Sequence, residues 1–256
     1  MEKEIELKDT SPLQPCHKLI PFQVAPLMIL TGHYGVGKTN LSLNIAVDIA
    51  ASGKHVTLID LDIVNPYFRS SDYEEPLKKR GVDLIAPVFA RSNVDVPSVS
   101  GAIYPALENA NDEHIVIVDT GGDDAGATAL GRFAGLIRKN PYHMYYVINQ
   151  SRNLTQKPQE AAKLLQEIET ASGLEATGVI NNSHLMEFTT NETLEQSVVF
   201  AQESAKLMGL TLSAMTVPID EKCDESKSFI HFPSESTQTR YFVRVYVNTP
   251  WEKQGI

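Results

Sequence analysis

Three glycines, a lysine and a threonine stand close together in the segment GHYGVGKT, which begins at Gly32. The segment fits the Walker A pattern, G-x-x-x-x-G-K-[ST], and lies between an apolar run and an amphipathic stretch, as this pattern requires. Glycines let successive backbone N–H groups curl around a phosphate at the start of a helix. Lys38 is expected to reach the β- and γ-phosphates, and the Thr39 hydroxyl to bind Mg²⁺. The residues predicted to hold a nucleotide here are Gly32, His33, Tyr34, Gly35, Val36, Gly37, Lys38, Thr39 and Asn40.

Acidic residues follow two other apolar runs. HIVIVDTGGD predicts a buried strand that ends at Asp119, a Walker B carboxylate that would meet magnesium through its water shell, while the Gly122 amide would sense the γ-phosphate. LIDLD places Asp60 and Asp62 two residues apart, on one side of a strand if the strand continues that far. A carboxylate there could orient the attacking water or bind Mg²⁺ through water, although solvated acids at a strand end are an alternative. The predicted magnesium ligands are Thr39, Asp60, Asp62 and Asp119, and the predicted catalytic residues are Lys38, Asp62 and Asp119.

The elements that must position these residues follow from the hydrophobic pattern. Continuous apolar runs are typical of strands buried on both faces of a parallel sheet. The predicted strands are residues 27–30, 56–59, 82–85, 115–118, 144–148, 176–180 and 212–217, with 241–247 as a last edge strand. The predicted helices are residues 40–52, 158–171 and 191–208, each followed closely by a glycine that can end it. The alternation predicts an α/β fold with a doubly wound, mostly parallel sheet flanked by helices.

Composition narrows the class of protein. The 256 residues carry a net charge of −10, which disfavours general binding to nucleic acid or anionic lipid, and no apolar run approaches the roughly 20 residues of a membrane span. Cys16 and Cys223 match no zinc spacing, which favours a reducing compartment, and the first 25 residues lack the apolar core of a signal peptide. We therefore expect a cytoplasmic protein with a polar N-terminal arm over residues 1–25 and a single P-loop nucleotide-binding domain over residues 26–256.

Taken together, GHYGVGKT, LIDLDIVNP and IVIVDTGGD resemble the MinD/ParA/CobQ-like class of P-loop ATPases, which has a SIMIBI-type fold. The class includes partition ATPases, the nickel-insertion ATPase CooC and ATP-binding proteins of anaerobic bacteria. The resemblance covers roughly residues 27–220 and implies ATP and Mg²⁺ as cofactors. It implies that Asp62 positions the hydrolytic water, that Asn182 with Asn181 reads the adenine edge, and that Pro218 packs near the base. An ordinary turn after a strand is an alternative for the two asparagines.

Departures from the family pattern bear on the expected partners. Dimer-forming members carry a signature lysine at the second position of the loop, where it reaches the partner's nucleotide, and this chain has His33 there. A histidine that is formally neutral at pH 7 is a weaker donor, so the resemblance implies only a weak homodimer. The nickel motif of CooC, the basic DNA face of ParA and the membrane helix of MinD are not evident in the sequence. We therefore expect binding to neither nucleic acid nor membranes.

The sequence favours one of three functions. The first is an ATP-driven switch that binds an unknown partner protein in its ATP state and releases it after slow hydrolysis. Family analogy points to maturation of a metallocluster or cofactor, or to control of a redox enzyme. The alternative is a metabolic ATP-dependent phosphotransferase or ligase of the CobQ or dethiobiotin synthetase type, which needs a pocket for a second substrate. The third is a nucleotide-binding scaffold without hydrolysis, which Asp62 and Asp119 disfavour.

Overall fold

Eight parallel strands form one sheet in the computed structural model of the protein. The structure describes residues 20–62, 71–86, 101–122, 124–153, 155–184, 189–219 and 238–246. The strands are β1 (Leu27–Thr31), β2 (His55–Leu61), β3 (Val82–Ile85), β4 (His114–Thr120), β5 (Tyr142–Ile148), β6 (Gly178–Asn181), β7 (Leu212–Pro218) and β8 (Arg240–Val243). Their order across the sheet is β3-β2-β4-β1-β5-β6-β7-β8, and every neighbouring pair is parallel. The α/β prediction is confirmed.

Seven helices connect the strands in the described part of the chain. They are α1 (Lys38–Ala51), α2 (Ser71–Lys78), α3 (Ile103–Glu108), α4 (Asp124–Gly131), α5 (Ala134–Ile137), α6 (Pro158–Ser172) and α7 (Asn191–Met208). The three predicted helices are α1, α6 and α7, and the left-handed glycines Gly173 and Gly209 end α6 and α7 as expected. None of the helices described is both long and apolar enough to span a membrane.

The sheet is buried on both faces, as its continuous apolar strands require. Alternate residues of β1 enter opposite cores, with Leu27 and Ile29 on one face and Met28 and Leu30 on the other. Helices α4 to α7 pack on the first face. On the second face α1 packs against the strands, and Phe22 packs edge-on against tyrosines of β5 and β8. The loops at the carboxyl edge of this sheet are therefore held by a rigid base.

Two strand boundaries differ from the sequence prediction for identifiable reasons. β6 begins at Gly178 rather than at Ala176, because the backbone N–H of Ala176 donates to the Glu169 carboxylate of α6, 2.8 Å away, instead of joining the sheet. β8 covers Arg240–Val243, so it begins one residue before the predicted 241–247 and ends four residues earlier. The chain leaves the sheet at Arg244 because its backbone is bound there by side chains of α1.

Candidate functional site

The glycine-rich loop lies between β1 and the first turn of α1 at the carboxyl edge of the sheet. Gly37 precedes the helix with φ of +90°, and a β carbon there would overlap the Asn182 carboxamide, so only glycine fits. Among the described residues, no side chain caps this helix end. The backbone N–H groups of the first turn lack intrahelical partners and carry the positive end of the helix dipole. The loop and helix end thus have the form of an anion-binding cradle.

Lys38 is folded onto the loop that it follows. Its Nζ atom donates hydrogen bonds to the carbonyl oxygens of Gly32 and His33, both at 3.0 Å, and only 6% of the residue is exposed. The positive charge also lowers the pKa of Asp119 against the effect of burial. The Lys38 ammonium group therefore lies close to both the cradle and Asp119, which is the position expected of a lysine that binds phosphate.

Asp60 and Asp119 lie side by side at the ends of β2 and β4, where they are direct neighbours in the parallel register. Burial and then the charge of Asp119 raise the pKa of Asp60 to about 8. Burial raises the pKa of Asp119 to about 6, opposed by a hydrogen bond from Thr39 and by Lys38. Two buried carboxyl groups with raised pKa values form a site that favours a cation.

The residues of this pair fit a magnesium ion. Asp119 Oδ1 is buried and has no hydrogen-bond partner among the described residues, and the same is true of Ser42 Oγ. An orphaned carboxylate oxygen with the Thr39 hydroxyl beside it is the oxygen donor set that Mg²⁺ prefers. Asp119 and Thr39 would hold the ion, directly or through water, and Asp60 is the neighbour of Asp119 in the sheet.

Asp62 lies immediately after the end of β2, which stops at Leu61. Its backbone N–H donates to Asp60 Oδ1 at 2.9 Å, so the chain turns at this point instead of continuing as a strand. The negative charge of Asp62 raises the pKa of both Asp60 and Asp119. The structure therefore brings all three predicted acids into one site, although the strand does not extend to Asp62.

Gly122 lies directly against the phosphate loop. A β carbon at this position would stand 2.5 Å from the Tyr34 Cα and 2.8 Å from the His33 carbonyl carbon, so the segment after β4 can approach the loop only with glycine here. The contact joins the D-x-x-G segment to the loop through their backbones. The role of Gly122 as a γ-phosphate sensor stays a prediction.

The two asparagines at the end of β6 bind other parts of the protein. The Asn182 carboxamide donates to the Val36 carbonyl oxygen at 2.7 Å and accepts from the Thr216 hydroxyl at 2.5 Å, so it braces the phosphate loop against β7. Asn181 donates to Ser197 of α7. Adenine recognition by these amides stays a prediction, as does packing of the base near Pro218, which ends β7.

The family of the chain follows from its match to a known domain. Residues 27–215 match the model of the CobQ/CobB/MinD/ParA nucleotide binding domain, CbiA. The chain belongs to this family. The match covers β1 to β6 and the first part of β7, and therefore the loop, the acids and the asparagine pair. No curated protein matches the chain.

Solved structures share the fold of this CobQ/CobB/MinD/ParA-type domain at low sequence identity. FtsY from Mycoplasma mycoides is 18% identical with a TM-score of 0.51, over 81% of this chain and 65% of that chain. The signal recognition particle receptor FtsY from Elizabethkingia anophelis, in complex with GDP, is 17% identical with a TM-score of 0.50, over 81% of this chain and 60% of that chain. This chain thus spans less than two thirds of either structure.

Sequence reasoning missed two contributors to the site of this CobQ/CobB/MinD/ParA-type domain. Thr216 holds the carboxamide of Asn182, and its position in β7 lies 34 residues further along the chain. Arg152, in the turn after β5, lies against Gly35 of the phosphate loop. Neither residue was predicted to contact the phosphate loop or its supporting asparagine, and only the pairing of β5 beside β1 and of β7 beside β6 brings them to the site.

Proposed function

We propose that the protein is a cytoplasmic ATPase that binds ATP with Mg²⁺, hydrolyses it slowly and acts as a nucleotide-driven switch on a partner protein. One observation carries the proposal. The uncapped start of α1 lies beside the buried pair of Asp60 and Asp119, and Lys38 is folded onto the adjoining loop. The Asp119 Oδ1 atom has no hydrogen-bond partner among the described residues. A cradle for phosphate next to a site for a divalent cation is the arrangement that a magnesium nucleotide requires.

The described side chains can divide the chemistry of hydrolysis between them. The loop amides and Lys38 would bind the β- and γ-phosphates, and Mg²⁺ held by Thr39 and Asp119 would supply neutralising charge. Asp62 would orient a water molecule whose oxygen bonds to the γ-phosphorus as the bond to the bridging oxygen breaks, which yields ADP and phosphate. The closeness of Asp62 to the acid pair supports this assignment.

The switch part of the proposal rests on Gly122. Because the backbone after β4 lies against the loop backbone at Tyr34, a phosphate in the cradle would lie close to this contact and could fix it. Segments that respond to the γ-phosphate in this way expose or remove a binding surface for a partner.

Calorimetry with Lys38→Ala tests the nucleotide part of the proposal. Loss of a charge-assisted contact of about 1.5–3 kcal/mol should weaken ATP binding about tenfold or more. Lys163→Ala, which removes an 80% exposed lysine on α6, should bind ATP like the wild type. Equal ATP affinity in wild type and Lys38→Ala would overturn the phosphate-loop assignment, and tighter binding of GTP than of ATP would overturn the choice of nucleotide.

Hydrogen exchange tests the switch. A non-hydrolysable ATP analogue should slow amide exchange in residues 121–131, which include the contact with Tyr34, more than ADP does. ATPase assays should then be run with a pool of small metabolites and, separately, with a lysate protein fraction. Stimulation confined to the metabolite pool would favour the phosphotransferase or ligase alternative over the switch.

A further inference from the structure

Arg152 lies on the outside of the phosphate loop. A β carbon built on Gly35 would stand 3.7 Å from Nε, 3.8 Å from Cζ and 3.9 Å from Cδ of Arg152. The guanidinium group of the exposed Arg152 thus lies beside Gly35, the one exposed glycine of the loop. Because Gly35 has no side chain, the guanidinium group can lie close to the loop backbone.

The turn that carries Arg152 is fastened at several points. Buried Asn149 accepts from the backbone N–H of Ser151 through its side chain at 2.9 Å, and from that of Arg152 through its carbonyl at 3.1 Å. The buried Thr155 hydroxyl donates to the carbonyl oxygens of Asn149 and Arg152, at 3.1 and 3.2 Å. The N–H of Gln150 donates to Ser183 after β6 at 2.8 Å. The backbone beneath Arg152 is therefore fixed.

The sheet explains why this turn reaches the loop. β5 is the parallel neighbour of β1, and Thr31, the last residue of β1, is paired with Tyr146. The chain continues from Thr31 into the phosphate loop and, two residues after Tyr146, from Ile148 into the turn. Both segments leave the same edge of the sheet side by side.

The charge around the cradle leaves a role for a second cation. Three carboxyl groups, those of Asp60, Asp62 and Asp119, lie together at the site, and Lys38 is the cation among them. A bound nucleoside triphosphate would bring further negative charge. No described residue forms an ion pair or hydrogen bond with the Arg152 guanidinium group, which carries five donors in a geometry suited to phosphate oxygens.

We propose that Arg152 is a second cationic contact for the phosphates of the bound nucleotide, placed from the turn after β5 and acting together with Lys38. The inference rests on the proposed function, because it assigns a further residue to the same nucleotide site. Arg152 would bind phosphate oxygens from the solvent side of the loop, while Lys38 binds them from the protein side. The guanidinium group would also attract the anionic ligand toward a chain with a net charge of −10.

Calorimetry with ATP, ADP and AMP tests the proposal in wild type, Arg152→Ala and Arg152→Lys. We expect Arg152→Ala to weaken ATP binding about 5- to 20-fold and AMP binding by less than twofold, and Arg152→Lys to restore part of the loss. The dependence of ATP affinity on salt should also become shallower in Arg152→Ala, because one ionic contact is gone. Arg132→Ala, which removes an exposed arginine after α4, is the matched control and should change none of these values.

A purely structural role for Arg152 would give a different result. Loss of ATP, ADP and AMP affinity by one common factor, or a lowered melting temperature of the nucleotide-free protein in both Arg152 variants, would overturn the proposal. Lys38→Ala, measured in parallel, separates the two levels of inference. If Lys38→Ala loses ATP affinity and Arg152→Ala does not, the role of Arg152 is wrong and the proposed function stands. If neither variant loses affinity, the proposed function itself is wrong.

Discussion

At the scale of single residues, the site is defined by two buried carboxyl groups, those of Asp60 and Asp119, whose negative charge Lys38 compensates only in part. Asp60 and Asp119 are exposed by only 6% and 2%, and the described cation near them, Lys38, also binds loop carbonyls. Burying carboxyl groups without full compensation destabilises a fold, and such groups are retained where a ligand uses them. The burial of these two carboxyl groups therefore indicates the functional site more strongly than the sequence motifs alone do.

Asp62 leads to a prediction about turnover. Asp62→Ala should lower ATP hydrolysis about 10²- to 10⁴-fold while changing ATP affinity little, because a group that positions the attacking water acts mainly in the transition state. Single-turnover hydrolysis and calorimetry measure the two effects separately. Asp83→Ala, which removes an exposed acid of β3, serves as control. Hydrolysis by Asp62→Ala at the wild-type rate would transfer the role to another residue.

The acid pair also predicts how stability depends on pH. The pKa of Asp60 is raised in the folded protein from 3.8 to about 8, so between these values the unfolded chain releases a proton that the folded protein keeps. The free energy of unfolding must then fall as pH rises, by up to about 1.4 kcal/mol per pH unit for this one group. We expect the metal-free and nucleotide-free protein to be about 1–3 kcal/mol less stable at pH 7.5 than at pH 5.5.

Urea unfolding in a metal chelator measures this loss, and Asp60→Asn should remove most of it. Titrations elsewhere in the molecule are common to both proteins and cancel in the comparison. Asp112→Asn is a suitable control, because Asp112 is exposed and its described hydrogen bond from Lys54 involves the backbone carbonyl. A pH dependence that is the same in wild type and Asp60→Asn would show that Asp60 ionises normally.

At the scale of elements, α1 connects the phosphate loop to the last strand. Asn40, Asn44 and Asp48 follow one another at intervals of four on this helix, and all three bind the segment around β8. The Tyr241 hydroxyl donates to Asp48 at 2.8 Å, and the Arg244 backbone both donates to and accepts from Asn44. The helix that begins at the nucleotide cradle is thus held along its length by the end of the described chain.

Asn40, Asn44 and Asp48, which we call the polar ladder, have contacts that could not be predicted from the sequence. The strands and the three longer helices were predictable, because their periodicity and terminal glycines are local signals. The side chains of Asn44 and Asp48 are exposed by only 1% and 2%, yet in the sequence they read as the polar face of an amphipathic helix. Their partners lie about 200 residues away, and no local pattern indicates such a pairing. Likewise the loop and acids were predictable from motifs, whereas Arg152 and Thr216 were not.

Asn44→Ala tests the ladder. The variant removes the two hydrogen bonds between the Asn44 side chain and the buried backbone of Arg244, at 2.8 and 3.0 Å. We expect a loss of about 2–4 kcal/mol in the free energy of unfolding, and faster amide exchange in Tyr241 to Val243 than in β1. Gln166→Ala, at an exposed amide on α6, should cost less than about 0.5 kcal/mol. Equal losses in the two variants would mean that the ladder adds nothing to stability.

At the scale of the whole molecule, the sheet gathers residues from distant parts of the chain at one edge. The loop after β1, the acids at the ends of β2 and β4, Arg152 after β5 and Asn182 after β6 all lie at the carboxyl ends of parallel strands. Ligands bind in α/β sheets at this edge. The outer side of the cradle remains accessible, since Gly35 is exposed and Tyr34 is 54% exposed. A second molecule could therefore approach a bound nucleotide from this side.

His33 leads to a prediction about how strongly two copies of the chain associate through the outer side of the cradle. Its Nδ1 atom lies 3.0 Å from the Tyr34 carbonyl oxygen, so the ring is turned back on its own loop, whereas the signature lysine of dimer-forming relatives reaches outward. We expect the wild-type protein with ATP and Mg²⁺ to stay mainly monomeric at micromolar concentration. His33→Lys should strengthen any ATP-dependent dimer about tenfold, because a permanent charge replaces a weak donor beside a partner's phosphates.

Light scattering in the Asp62→Ala background, where hydrolysis should be slow, measures this association with ATP and with ADP. Gln166→Lys adds the same charge on α6, away from the cradle, and should leave the association unchanged. A tight ATP-dependent dimer in the wild type that does not respond to position 33 would place the dimer contacts on another surface. If only His33→Lys dimerises, the wild-type chain has the nucleotide site of the family but lacks the contact that joins two copies in dimer-forming members. The ATP-bound protein would then be expected to bind a partner other than a second copy of itself.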